Sequence, residues 1–206
     1  AHYNSAFGAL ALYSNTTGNY NTAIGNSALT ANTTASNNTA VGKSALFANT
    51  TGSQNVASGK DALRSNTTGA NNNAFGYQAM YSNTTGGHNI AIGSGAFYTN
   101  STGASNIAIG SYSLYANTTG INNIANGYAA LRFNTIGANN TAVGESALYA
   151  NTVGDNNTAI GKEALDSSVD GDNNTGIGYG SDAPASTTSD SFTLGNSSID
   201  NLRCND

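Results

Sequence analysis

The side chains best suited to chemistry in this 206-residue sequence are two histidines, one cysteine and eleven carboxylates. Their spacing gives that chemistry little to work with. His2 and His88 lie far apart, and no metal-ligand spacing accompanies either. Cys204 is alone, so it forms no internal disulfide and leaves the redox compartment open. The acids gather late, at Asp155, Glu163, Asp166, Asp170 and Asp172. Asp155 and Asp172 are 17 residues apart, a spacing that admits a bridging cation or, more simply, a solvated acidic edge beside Lys162. A glycosidase-like carboxylate pair would need a cleft to work in. The expectation is no enzyme, no metal and no cofactor.

The groups that do recur are amides, hydroxyls and rings. Asparagine stands at Asn4, Asn21, Asn38, Asn55, Asn72, Asn89, Asn106, Asn123, Asn140, Asn157 and Asn174, always 17 residues apart. Such a file suits sugar or ice binding, but stacked amides also bond from one layer to the next and tie up turn backbone. An unbroken run of eleven favours structure. The motif N-T-T, at Asn15, Asn32, Asn49, Asn66, Asn83 and Asn117, with N-S-T at Asn100, matches the acceptor pattern for N-linked glycans. The same tripeptide is a turn motif. Threonines from Thr16 to Thr152 invite an ice-binding reading, although adjacent residues of an extended strand face opposite ways and only one could contribute. Tyr13, Phe47, Tyr81, Tyr98, Tyr115 and Tyr149 form an aromatic file interrupted by Arg64 and Arg132. Its rings suit saccharide stacking or protein contact, with plain cross-layer packing as the simpler reading.

The element that positions these groups is a repeat. Glycine recurs at Gly8, Gly25, Gly42, Gly59, Gly76, Gly93, Gly110, Gly127, Gly144, Gly161, Gly178 and Gly195, every interval 17. The consensus is N-T-A-I-G-x-x-A-L-Y-x-N-T-T-G-x-x, without insertion or deletion. So strict a period predicts a parallel β-solenoid, in which equivalent residues stack about 4.8 Å apart and one extra residue would displace every later column. Helical repeats need about 33 residues or more, and N-T-T-G breaks any helix. Two short strands per coil are expected, T-A-I before the glycine and A-L-Y after it. Alanine two before the glycine and leucine four after it (Leu12 to Leu165) then face a dry lumen. Residues one and three before it, such as Ile24, Val41, Phe75, Ile92 and Ile160, form a second apolar face that implies partner subunits, most simply a homotrimer.

Composition agrees. Charged residues are 8% of the chain, 6 basic against 11 acidic, too few cations for nucleic acid. No apolar run approaches the ~20 residues of a membrane span, so no membrane insertion is expected. Residue 1 already lies inside the repeat, which suggests a piece of a longer protein without its own signal peptide.

The repeat resembles two known groups. N-T-A-I-G-x-x-A-L is similar to the repeat in the heads of trimeric autotransporter adhesins, which implies a left-handed parallel β-roll with a coil enlarged around N-T-T-G. The longer N-T-A-x-G-x-x-A-L-x-x-N-T-T-G resembles repeats of bacteriophage tail fibres. Ser191-Phe192-Thr193-Leu194-Gly195-Asn196 and Ser198-Ile199-Asp200-Asn201-Leu202-Arg203-Cys204 resemble the lead-in to an endosialidase-type intramolecular chaperone. Together they suggest an all-β rod of about 12 coils. Residues 1–178 are solenoid, and residues 179–206 a transition segment with one further coil around Gly195. The implied work is mechanical, the shaft of a virion tail fibre or tail spike in host attachment, with a host cell-surface glycan or protein as a further partner. The head of a bacterial surface adhesin and an ice-binding solenoid are the alternatives.

Overall fold

The computed structural model describes residues 2–198. Each T-A-I segment forms one three-residue strand, from β1 (Ser5–Phe7) and β2 (Thr22–Ile24) to β11 (Thr175–Ile177) and β12 (Phe192–Leu194). The twelve strands make one parallel sheet in sequence order. Partners are always one period apart, as Ser5 with Thr22 and Ala159 with Gly176. The chain is a β-solenoid of about eleven turns with no helix among the described residues. At about 4.8 Å per step its eleven steps span about 55 Å.

The second expected strand is absent. A-L-Y is built from turns, because the leucine of each coil is left-handed: Leu29, Leu46 and Leu63 have φ of 51°, 51° and 49°. Strand alternation would send adjacent Ala and Leu to opposite faces, yet Ala28 and Leu29 are both fully buried. The left-handed turn points both inward. A non-glycine residue in that region costs about 1–2 kcal/mol, and burying the leucine returns about 1.5–3 kcal/mol. Lateral hydrogen bonding survives the change. Leu29 N donates to Ala45 O of the next coil at 3.0 Å, and Ser27 N to Ala9 O of the preceding one at 2.8 Å.

The lumen is a stack of small layers. Ala23, Ala28 and Leu29 fill one, Ala40, Ala45 and Leu46 the next, all with no exposed surface. Met80 and Phe97 replace the leucine in their coils without a gap in the column. Outside, the residue before the glycine remains open: Ile24, Phe75, Ile92 and Ile160 are 42–44% exposed, and this file follows the sheet from Phe7 to Leu194.

Candidate functional site

Two asparagine ladders, not one, run through the interior. In the first, Asn38 N donates to Asn21 Oδ1 at 3.0 Å, and Asn38 Nδ2 crosses the coil to Gly52 O at 3.0 Å. The pattern repeats at Asn55, Asn72, Asn89, Asn106, Asn123, Asn140, Asn157 and Asn174. It is mainly a bond from backbone N–H to side-chain oxygen. The amide-on-amide ladder is the second, made by the asparagine of N-T-T. Asn49 Nδ2 donates to Asn32 Oδ1 at 3.1 Å and to Gly52 O at 2.9 Å. Both ladders therefore converge on one carbonyl in each coil. Asn32, Asn49, Asn66, Asn83, Asn100 and Asn117 have no exposed surface, so in the folded chain these six tripeptides offer no nitrogen to a glycan, while Asn15 in the first coil is half-buried. The regular recurrence of N-T-T itself was the signal for this ladder.

The glycines stand where a side chain cannot. Gly93 has φ 136°, and a Cβ there would meet the Gly110 carbonyl carbon at 2.6 Å. The same close stacking of glycine on glycine recurs at Gly25, Gly42, Gly59, Gly76, Gly110, Gly127 and Gly144, and Gly161 lies as close to Gly178.

On the turn side of the coil lies an aromatic and cationic strip. Tyr81, Tyr98 and Tyr115 stack with ring centroids 5.1 and 5.2 Å apart and planes within 12°. The arginines continue the file where they replace aromatics. Arg64 lies over Phe47 and Tyr81 at 5.4 and 5.7 Å, and donates from Nη1 to the Tyr81 hydroxyl at 2.9 Å. Arg132 lies over Tyr115 and Tyr149 at 6.0 and 5.9 Å and over Tyr112 at 5.3 Å. Beside this file Tyr77, Gln78, Ser94, Tyr98, Tyr112 and Tyr115 surround a cleft of about 210 Å³ over Gly95. Burial, then the neighbouring Tyr81 and Tyr115, raise the Tyr98 hydroxyl above the usual phenol range, so it stays a neutral donor.

The acidic end is organised differently. Asp155 Oδ1 accepts Ala138 N, and Asp172 Oδ1 accepts Asp155 N, both at 2.7 Å. The stacked carboxylates thus satisfy backbone amides of the preceding coil. Lys162 lies 3.5 Å from Glu145 and 3.6 Å from Glu163, which raise its pKa. Burial, then repulsion from Asp182, pushes Asp166 up to about 6. Among the described residues no cluster of three or more His, Cys, Asp or Glu is placed to hold a metal, and no helix is long and apolar enough to cross a membrane. Of the segment compared with a chaperone lead-in, Ile199 to Cys204 lie outside the described residues. No protein family, curated protein or solved structure matches the chain.

Proposed function

We propose that this chain is a shaft segment of a bacteriophage tail fibre or tail spike. Three parallel copies form one rod outside the virion, which spaces and presents the elements that attach to a host. The observation that carries the reading is the exposed apolar file from Phe7 through Ile24, Val41, Phe75, Ile92, Val143, Ile160 and Ile177 to Leu194. It follows the sheet from end to end, interrupted by the polar residues Ser58 and Asn126. An apolar strip so long favours a partner, and one with the same 17-residue period covers it in register. A second and third copy supply that period, and a threefold axis closes the assembly. The resemblance of the repeats to tail-fibre sequence supports the same role, as does a regular coil whose polar interior is consumed by its own ladders.

Ice binding draws less support. Thr33, Thr50 and Thr67 spend their hydroxyls on carbonyls of the next coil at 3.1 Å, which leaves a single exposed file at Thr34, Thr51 and Thr68. Light scattering tests the assembly. A mass about three times 20.7 kDa is expected, and a stable folded monomer would remove the basis of the reading. The surrounding reading frame tests the setting. A chaperone domain downstream agrees with a tail fibre, whereas a signal peptide with a membrane anchor assigns the coil to a surface adhesin.

A further inference from the structure

The aromatic cleft deepens that reading, on which it rests in part: it gives the rod a ligand site of its own. Residues 1–144 contain four basic side chains, Lys43, Lys60, Arg64 and Arg132, and one acid, Asp61. Asp61 lies 3.4 Å from Arg64. Among the described residues no carboxylate lies within ion-pair distance of Lys60 or Arg132. Those two cations sit instead on tyrosines of the cleft, Lys60 over Tyr77 at 5.5 Å and Arg132 over Tyr112 at 5.3 Å, one beyond each end.

The cleft exists because of one departure from the repeat. Two residues after the repeating glycine, the other coils as far as Gly178 carry side chains from Ala129 and Ser27 to Glu163 and Tyr112 in the left-handed conformation, Gly180 near the end of the solenoid excepted. Gly95 has the same conformation, φ 61°, with no side chain, so a pit opens between Tyr77, Tyr98, Tyr112 and Tyr115. At about 210 Å³ it is smaller than the ~300–1,000 Å³ of sites for drug-sized ligands. It suits a single sugar ring, with further rings along the tyrosine file. Tyrosine faces pack against sugar C–H groups, and the Tyr, Ser94 and Gln78 polar groups around the pit match sugar hydroxyls. The unpaired cations add a preference for a negative substituent. The residues that line the cleft all follow the repeating glycine and so lie outside the T-A-I strands whose outer file the proposed trimer covers.

We infer that the Gly95 cleft binds an acidic oligosaccharide, one sugar ring stacked among Tyr77, Tyr98 and Tyr112 and its carboxylate or sulfate group held by Lys60 or Arg132. The chain has no tryptophan, so tyrosine fluorescence and calorimetry report binding directly. The probes are sialyllactose, an oligogalacturonate and a sulfated lactose, each beside its neutral counterpart. At least one acidic probe is expected to bind, tenfold or more tighter than its neutral form, and to weaken as salt rises. Gly95→Gln fills the pit with the side chain that Gln78 already carries one coil earlier. It should lower affinity at least tenfold. The side chain at φ 61° is strained and its Cβ meets Tyr112 at 3.3 Å. The melting midpoint should therefore fall modestly, with a cooperative transition retained to show that the variant is folded. Arg132→Gln and Lys60→Gln together should bring the acidic probe down to its neutral counterpart. Three outcomes overturn the inference: no binding by any acidic probe, equal binding of the neutral form, or unchanged binding by Gly95→Gln. Light scattering on the same sample keeps the two readings apart. A trimer that binds no saccharide sinks this site alone, and a monomer that binds sinks the assembly alone.

Discussion

The coils between Asn21 and Leu148 and those after Asp155 share one period but not one chemistry. In the first group the Asn, Ala and Leu columns are nearly unbroken, and the few charges are mostly basic and lie among aromatic rings. In the second, residues 155–206 carry nine acids against Lys162 and Arg203, and the inner columns change. Ser168 replaces the ladder asparagine, Gly176 the alanine, and Asp182 the leucine. The consequences are visible in the hydrogen bonds. Asn151 Oδ1 is buried without a partner because Ser168 brings no amide, and the hydroxyls of Ser168 and Ser181 are likewise unpaired. Sheet register nevertheless continues into β12. Backbone pairing thus tolerates breaks in the side-chain columns, while polar satisfaction does not. The body of the rod is held by repetition, and its acidic end by local arrangements such as the Asp155 and Asp172 bonds to backbone.

The comparison breaks most completely if register is lost. Deleting Asn73 moves every later side chain of the coil by one position, and cooperative melting should disappear, whereas Thr85→Ser should leave it nearly unchanged. Thermal unfolding followed by circular dichroism separates the two, and equal midpoints would contradict stacking as the source of order.

A smaller effect separates the two glycine columns. Gly93→Ala must place a Cβ at φ 136° against the Gly110 backbone, and about 3 kcal/mol or more should be lost. Gly86→Ala meets the Gly103 carbonyl, yet Ala35 already occupies the equivalent place two residues before Asn37 in its own coil. It should cost clearly less in denaturant unfolding.

The broken ladder can also be mended. Ser168→Asn offers an amide to Asn151 Oδ1 and should add about 1 kcal/mol, the usual worth of a satisfied buried hydrogen bond. A loss of stability in urea titration would mean that the lumen there is too narrow for the amide.

A further effect concerns pH. Burial and Asp182 hold Asp166 near 6, above the ~3.9 of an unfolded aspartate. Below about pH 4 both states are protonated and the group is neutral to stability. Between about 4 and 6 the unfolded chain ionises first, so stability falls, and above 6 the loss is complete. Asp166→Asn should flatten this stretch of a midpoint-against-pH curve, and an unchanged slope would place the origin elsewhere.

Much of this is legible in the sequence. The period set the sheet register, and Ala23 and Leu29 were assigned to the lumen by pattern alone. Two features hid for physical reasons. A-L-Y alternates like a strand, and only the left-handed Leu29, supported by neighbouring coils, shows why it is none. The N-T-T asparagines carry a tripeptide with a second meaning, and their burial decides between the two. The cleft was not legible, because Gly95 is one missing side chain whose effect depends on rings from the coils on either side. Arg64 and Arg132 read as interruptions of the aromatic file. They extend it, since a guanidinium stacks on rings as another ring would.

The claim that the rod is held by two buried asparagine ladders is tested most directly by hydrogen exchange of the side-chain amides, resolved by NMR. Asn49, Asn66, Asn83 and Asn134, each bonded both to a neighbouring amide and to a glycine carbonyl, should exchange slowly. The exposed Asn122, whose amide reaches only Asn139 at 3.2 Å, should exchange close to the solvent rate. Ladder amides that exchange as fast as Asn122 would contradict the account.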